Sequence, residues 1–279
     1  MEKIRSILIT GTSTGIGRAC ALKLDKEGFQ VFAGVRRKSD GEALKKSSTG
    51  KLMPLIIDVT DMKTIENAFK IISKLTNGEL YGLMNNAGVG GGGPLEITPM
   101  SIIRNAVETN LLGNFSVTRT FIPLLRKSRG RIVNTASIFG LSALPGFSAY
   151  SATKFGVEAI SQSLRLELRA FGITVSAIEP GAIATEIWPK ARKTSEEIFS
   201  GSDPEIYSLY SKMIQHFRKT VAEQKYLQPE TVAECVYHVF TSNNPKRHYI
   251  IGKDAKFMAF IESLPEGIRD WLFYKMIHK

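Results

Sequence analysis

Cysteine is almost absent, with Cys20 and Cys235 the only two in 279 residues. They show no metal-type spacing, which excludes a disulfide framework and a thiolate metal centre; buried thiols in a reducing compartment are expected, and no metal. Long hydrophobic runs are missing as well. No apolar stretch approaches the roughly 20 residues of a membrane-spanning helix, and the opening MEKIRSILIT enters a strand so early that a secretory leader has no room. A cytoplasmic location is the expectation. No polar or single-residue tract occurs either, so extensive disorder is excluded.

Charge is unbalanced, with 37 Lys and Arg against 26 Asp and Glu, a net +11. A basic surface attracts nucleic acid or anionic lipid without any specific site. Here the basic residues fall in short scattered groups, such as Arg36, Arg37 and Lys38, or Arg126, Lys127, Arg129 and Arg131, and no recognised nucleic-acid module accompanies them. A solvated basic face and no specific nucleic-acid partner follow.

The composition that remains is that of an ordered globular protein, 43% apolar and 23% charged. Short β-branched runs alternate with stretches of helical period, as expected when parallel strands are joined by crossover helices. Strands are predicted at residues 6–10, 30–35, 52–57, 80–84, 131–136, 173–178 and 248–251. Helices are predicted at 16–27, 63–75, 100–126 with a break near Asn110, 149–171 and 229–240. This pattern gives an α/β protein, a single-domain Rossmann-like doubly wound parallel sheet of about seven strands spanning residues 1–279. Between about 182 and 228 no strand is predicted, but Trp188, Phe199, Tyr207, Tyr210, Met213 and Phe217 recur in a helical context. Ligands sit beyond the carboxyl ends of such strands, so this insertion reads as a helical substrate lid. The helical tail, about 254–279, mixes Trp271, Leu272, Phe273, Tyr274 and Ile277 with basic residues. It suits packing on the subunit or an oligomer contact; peripheral membrane contact is the other reading.

Directly after the first strand comes TGTSTGIG, residues 10–17, leading into a helix. Glycines permit a tight turn and close approach of backbone to a pyrophosphate, and the helix N-terminus offers free N–H groups with partial positive charge. Gly11, Ser13, Thr14, Gly15, Ile16 and Gly17 are therefore candidate dinucleotide ligands. An acid at the end of the second strand ordinarily binds the adenosine ribose; this strand reads VFAGVRRK, and Arg36 and Arg37 stand there instead. Guanidinium groups suit a 2′-phosphate, which favours NADP(H), with NAD(H) possible.

The spacing of Gly11, Gly15 and Gly17 resembles the TGxxxGxG motif of the short-chain dehydrogenase/reductase family, and further motifs in the same order extend the resemblance over about residues 6–185. Asn85, Asn86, Ala87 and Gly88 are similar to the family's NNAG segment, and Asp58 and Val59 to its adenine-contacting pair. Pro180 and Gly181, with Ile183 and Thr185 beyond, are similar to its nicotinamide-contacting segment. Ser137, Tyr150 and Lys154 look like its reacting centre and Asn110 like its helix-breaking asparagine.

Tyr150 and Lys154 are i,i+4 on one helix, so their side chains share a face. An ammonium beside a phenol favours the phenolate and lowers its pKa, which unperturbed lies near ~10. The resemblance implies transfer of a hydride between nicotinamide and an alcohol/carbonyl pair. Tyr150 would be acid/base, Lys154 would lower its pKa and bind the nicotinamide ribose, Ser137 would hold the substrate oxygen and Asn110 would support a water-mediated relay. A non-catalytic dinucleotide sensor or scaffold is the alternative. The pocket wall includes Leu144, Phe147 and Trp188, suiting a hydrophobic retinoid-, steroid- or hydroxy-acid-like small molecule. The resemblance further implies a homodimer or homotetramer through the two long helices around Asn110 and Tyr150.

Overall fold

Strand β1 (Ser6–Ile9) reads SILI and is buried along its whole length, the mark of a central strand covered on both faces. Its alternating side chains feed two cores. Ile7 and Ile9 join Leu24, Val31, Val236 and Phe240 on one side of the sheet, while Leu8 joins Phe32, Ile65, Ile72, Val117 and Phe121 on the other. The structure, a computed structural model, describes residues 4–277.

The remaining strands are β2 (Gln30–Val35), β3 (Met53–Ile56), β4 (Gly82–Asn85), β5 (Arg131–Thr135), β6 (Thr174–Pro180) and β7 (His248–Ile251). All pairs are parallel and the order is β3-β2-β1-β4-β5-β6-β7. The connections are α1 (Gly15–Lys26), α2 (Lys38–Lys46), α3 (Met62–Leu75), α4 (Met100–Ala106), α5 (Gly113–Ser128), α6 (Ser148–Glu167), α7 (Ile187–Ser200), α8 (Pro204–Glu223) and α9 (Pro229–Thr241), with α10 (Lys253–Glu262) and α11 (Glu266–Ile277) after the last strand. Strand order reverses between β1 and β4, which opens a crevice beyond their carboxyl ends. Each of the seven expected strands is present, its ends shifted by no more than two residues.

The break expected near Asn110 takes a different form. Residues Val107–Leu112 make a π-helical segment that carries the chain from α4 into α5 without interruption. The wider turn admits an extra residue, a device that bends a helix while keeping its ladder. Gly113 follows at a point where an added Cβ would lie 2.7 Å from Val59. Among the described residues no helix is long and apolar enough to cross a membrane.

Candidate active site

The glycine turn is built against the end of β4. Gly11 has φ +69° and an added Cβ there would lie 2.8 Å from the Ala87 Cα; Gly15 has φ +58° and would meet the Thr185 methyl at 2.9 Å. At Gly17 the obstacle would be the Gly11 carbonyl and the Asn86 amide. Side chains close this packing: the Thr10 hydroxyl accepts from the Asn86 and Ala87 amides at 3.0 and 3.1 Å, and Asn86 Nδ2 donates to the carbonyls of Thr10 and Gly11 at 3.1 Å each. Thr12, fully buried, ties the turn to β2 through the Gly34 carbonyl at 3.0 Å. Thr14 caps α1 without a side-chain hydrogen bond, and no acid occupies the first helical turn. The amides at this end are therefore offered outward with a favourable dipole, which suits a diphosphate.

At the end of β2 the two arginines part company. Arg37 forms a bidentate pair with Asp40 of α2, both contacts 3.0 Å. Arg36 is exposed and lies close enough to Asp58 to help hold that carboxyl below its usual range. For Asp58 burial is the largest influence and acts upward, but hydrogen bonds from the Thr60 amide and hydroxyl, at 3.0 and 2.7 Å, outweigh it together with Arg36. Val59 is buried, its side chain packed against Gly113.

Tyr150 and Lys154 sit on the first turns of α6, Ser137 just beyond β5 and Asn110 in the π segment. Lys154 is buried, its Nζ 5.7 Å from the centre of the Tyr150 ring and donating to the Thr135 carbonyl at 2.8 Å. Burial brings the Lys154 ammonium down to about 8, opposed by the charge of Glu158. Burial pushes the Tyr150 phenol up to about 12, with a hydrogen bond to Ser137 pulling the other way. Here burial opposes the acidification of Tyr150 expected from its neighbour Lys154. The ammonium is directed at the Thr135 carbonyl, and desolvation of the phenol prevails. Ser137 Oγ also accepts from the Phe139 amide at 3.2 Å, fixing the turn that follows β5.

Asn110 clamps the loop after β4. Its Oδ1 accepts from the Val89 amide at 2.8 Å, and its Nδ2 donates to the Val89 carbonyl at 3.0 Å and to Thr153 Oγ1 at 3.2 Å. Below it, Asn85, Asn114, Thr118, Asn134 and Ser161 form a buried polar network in which Asn85 Nδ2 donates to Thr118 at 2.8 Å and to Asn134 at 2.9 Å. Of these residues the sequence singled out only Asn85; Asn134 on β5 and Asn114, Thr118 and Ser161 on α5 and α6 come from separate elements and share no local pattern.

The crevice rim is aromatic. Phe139 packs 4.9 Å from Phe147 and 5.6 Å from Tyr150, and Phe147 meets Phe217 of α8 at 5.5 Å. Phe147 thus belongs to the aromatic cluster around Tyr150, and half-buried Leu144 lies in the same loop. Trp188 is not with them. Its indole donates to the Ile183 carbonyl at 2.8 Å and its ring packs 5.4 Å from Tyr226, facing a cleft of about 700 Å³ that also includes Gly15, Arg18, Thr185 and Glu230. The turn into α7 aims the indole back toward the root of the insertion.

A feature missed earlier was visible as the run Gly90–Gly93. Added Cβ atoms at Gly90, Gly91 and Gly93 would press on Ile187, Thr194 and Ile198 of α7 and its lead-in, and Ser195 Oγ donates to the Gly92 carbonyl at 2.6 Å. The glycines let α7 rest on the loop after β4. Asp254, also missed, accepts from the Ala182 amide at 2.7 Å and holds the Pro180–Gly181 segment, whose Gly181 amide donates to Ile251 at 2.9 Å. Ile183 is buried, so it offers only its backbone.

The sequence model of the family described as short chain dehydrogenase matches residues 5–196. Retinol dehydrogenase 16 of Rattus norvegicus is 35% identical over 284 residues, covering 96% of this chain and 87% of its own. An NADPH-dependent 3-dehydrocapnine reductase of Ornithobacterium rhinotracheale is 32% identical over 285 residues, covering 99% and 98%. Among solved structures, a short-chain dehydrogenase from Streptomyces avermitilis superposes with a TM-score of 0.81 at 27% identity, covering 99% of this chain and 96% of that one.

Proposed function

This chain belongs to the short-chain dehydrogenase family and is an NAD(P)-dependent oxidoreductase of alcohols and carbonyls; from that premise we propose that it uses NADP(H) to reduce an apolar ketone or aldehyde, with Tyr150 as proton donor. The observation that carries this reading is the convergence of Ser137, Tyr150 and Lys154 beneath the Phe139–Phe147–Phe217 rim.

When bound, a nicotinamide dinucleotide supplies the two-electron reductant or oxidant. Gly11, Ser13, Thr14, Gly15, Ile16 and Gly17 would hold its diphosphate, Asp58 and Val59 its adenine, and Arg36 a 2′-phosphate. Asn86, Ala87, Gly88, Lys154, Pro180, Gly181, Ile183 and Thr185 would border the reacting half. The NADPH dependence of the similar 3-dehydrocapnine reductase supports the phosphorylated cofactor. Tyr150, with its pKa raised, keeps its proton at neutral pH and can give it to a carbonyl oxygen; Ser137 holds that oxygen in line. In the oxidative direction the same hydroxyl receives the alcohol proton. Helices α7 and α8 would cover the substrate, keeping water from the reacting atoms.

Purified protein assayed with NADPH against steroid, retinoid and medium-chain carbonyls should show turnover that Tyr150→Phe lowers by at least about a thousandfold while NADPH affinity changes little. Near-normal turnover in that variant would remove Tyr150 from the reaction.

A further inference from the structure

Beneath Lys154 lies a group of ionisable side chains for which the reaction has no use. Glu158 is one helical turn beyond Lys154 on α6, so Tyr150, Lys154 and Glu158 form an i, i+4, i+8 column on one face. Glu179 is on β6, immediately before Pro180, and is fully buried. His248, at the start of β7, brings Nδ1 within 2.7 Å of Glu179 Oε1 and 3.5 Å of Glu158 Oε2. Its side chain is 45% exposed, so the ring links the buried pair to solvent.

The two carboxyls differ in their partners. Glu179 Oε2 accepts from the Tyr249 amide at 2.9 Å and Oε1 meets His248, while both buried oxygens of Glu158 lack a hydrogen-bond partner unless a carboxyl proton joins the two acids. Two buried carboxylates whose binding atoms lie within 4.8 Å of each other and of the imidazole cannot both ionise cheaply. The charged or titratable groups facing them are Lys154 and Arg165 from α6, His248 from β7 and Cys235 from α9.

Resting on the assigned role of Lys154, we propose that Glu158 and Glu179 share one proton, exchanged with solvent through His248, and that its release turns Glu158 into the counter-ion that keeps Lys154 charged. Glu158, Glu179 and His248 are then positioning residues acting through Lys154. Burial raises both carboxyls well above the usual carboxylate range, and the amide on Glu179 assigns the retained proton to Glu158. As pH rises toward the point where buried Lys154 would lose its proton, Glu158 becomes negative first and holds the ammonium in place.

Infrared titration of isotopically edited protein should show a protonated carboxyl band that disappears as pH rises through neutrality. The band is expected to be missing in Glu158→Gln and to persist to higher pH in His248→Gln, where the imidazole no longer favours ionisation of the pair. NADPH fluorescence titration across pH should find the alkaline loss of affinity about one pH unit lower in Glu158→Gln than in wild type, with Glu158→Asp restoring most of the shift. Absence of a neutral-range carboxyl band in wild type would overturn the shared proton, and an unmoved affinity limb in folded Glu158→Gln would overturn its link to Lys154. Turnover by Tyr150→Phe would instead defeat the catalytic assignment, and the infrared result would stand apart from it.

Discussion

Replacing Asn110 by alanine tests how the reacting loop is held. The substitution removes three hydrogen bonds, to the Val89 amide at 2.8 Å, the Val89 carbonyl at 3.0 Å and Thr153 Oγ1 at 3.2 Å. Val89 is half-buried, so water replaces part of its pairing. Thr153 is fully buried but keeps its own bond to the Tyr150 carbonyl at 2.7 Å. Counting about 1 kcal/mol for a bond that water replaces and up to about 3 kcal/mol for a group left orphaned, the expected loss is about 2–4 kcal/mol. For a domain of this size that is a fall of roughly 3–8 °C in Tm. Asn110→Asp provides an internal control. It keeps the acceptor for the Val89 amide but turns an oxygen toward the Val89 carbonyl, so at neutral pH it should be less stable than the wild type and recover as the acid is protonated. Urea denaturation of the three proteins, with the cofactor KM measured alongside, reads both effects. An Asn110→Ala midpoint equal to wild type, or an Asp variant as stable as Asn at neutral pH, would refute the clamp.

Three further outcomes follow from the geometry. Arg36→Ala should lower kcat/KM for NADPH by roughly tenfold to a hundredfold and leave NADH rates alone, whereas Arg37→Ala should change the ratio by less than about threefold because Asp40 already engages that guanidinium; equal losses would contradict the division of roles. Lys154 is held down to about 8 from an ordinary 10.5, so the folded state binds fewer protons than the unfolded chain between those values. Stability relative to Lys154→Met should accordingly rise across that window, by about 3 kcal/mol at most, as the cost of burying the ammonium is relieved; a flat difference by chemical denaturation would count against the burial argument. Finally, α5 and α6 expose Phe115 and Phe155, so Phe115→Glu with Phe155→Glu should convert an oligomer into a monomer by light scattering, and an unchanged mass would place any subunit contact elsewhere.

Several elements were legible without coordinates because their cause is local. A parallel strand buried on both faces must be a short apolar run, so β1 and its partners announced themselves. The turn at Gly11, Gly15 and Gly17 could be read because positive φ and backbone contact leave room for no other residue. The pairing of Tyr150 with Lys154 was likewise fixed by helical period.

Other features depend on where distant segments meet. Nothing local says that Asp40 would engage Arg37, that Trp188 would turn toward Tyr226, or that Asn110 would clamp Val89 from a π turn. The same holds for the electrostatics. One-turn spacing places an ammonium near a phenol, but how far each is removed from water, and which carbonyl the ammonium meets, depends on packing contributed by β5, α6 and the turn after Ser137. Glu158, Glu179 and His248 come from three separate stretches and meet only because α6 packs on β6 and β7 pairs with β6 at the edge of the sheet. Sequence by itself determined which candidate residues can share a turn or a helical face, since that follows from short-range geometry; the tertiary structure alone decided their partners and how far each is removed from water, since desolvation is a property of everything packed around a group.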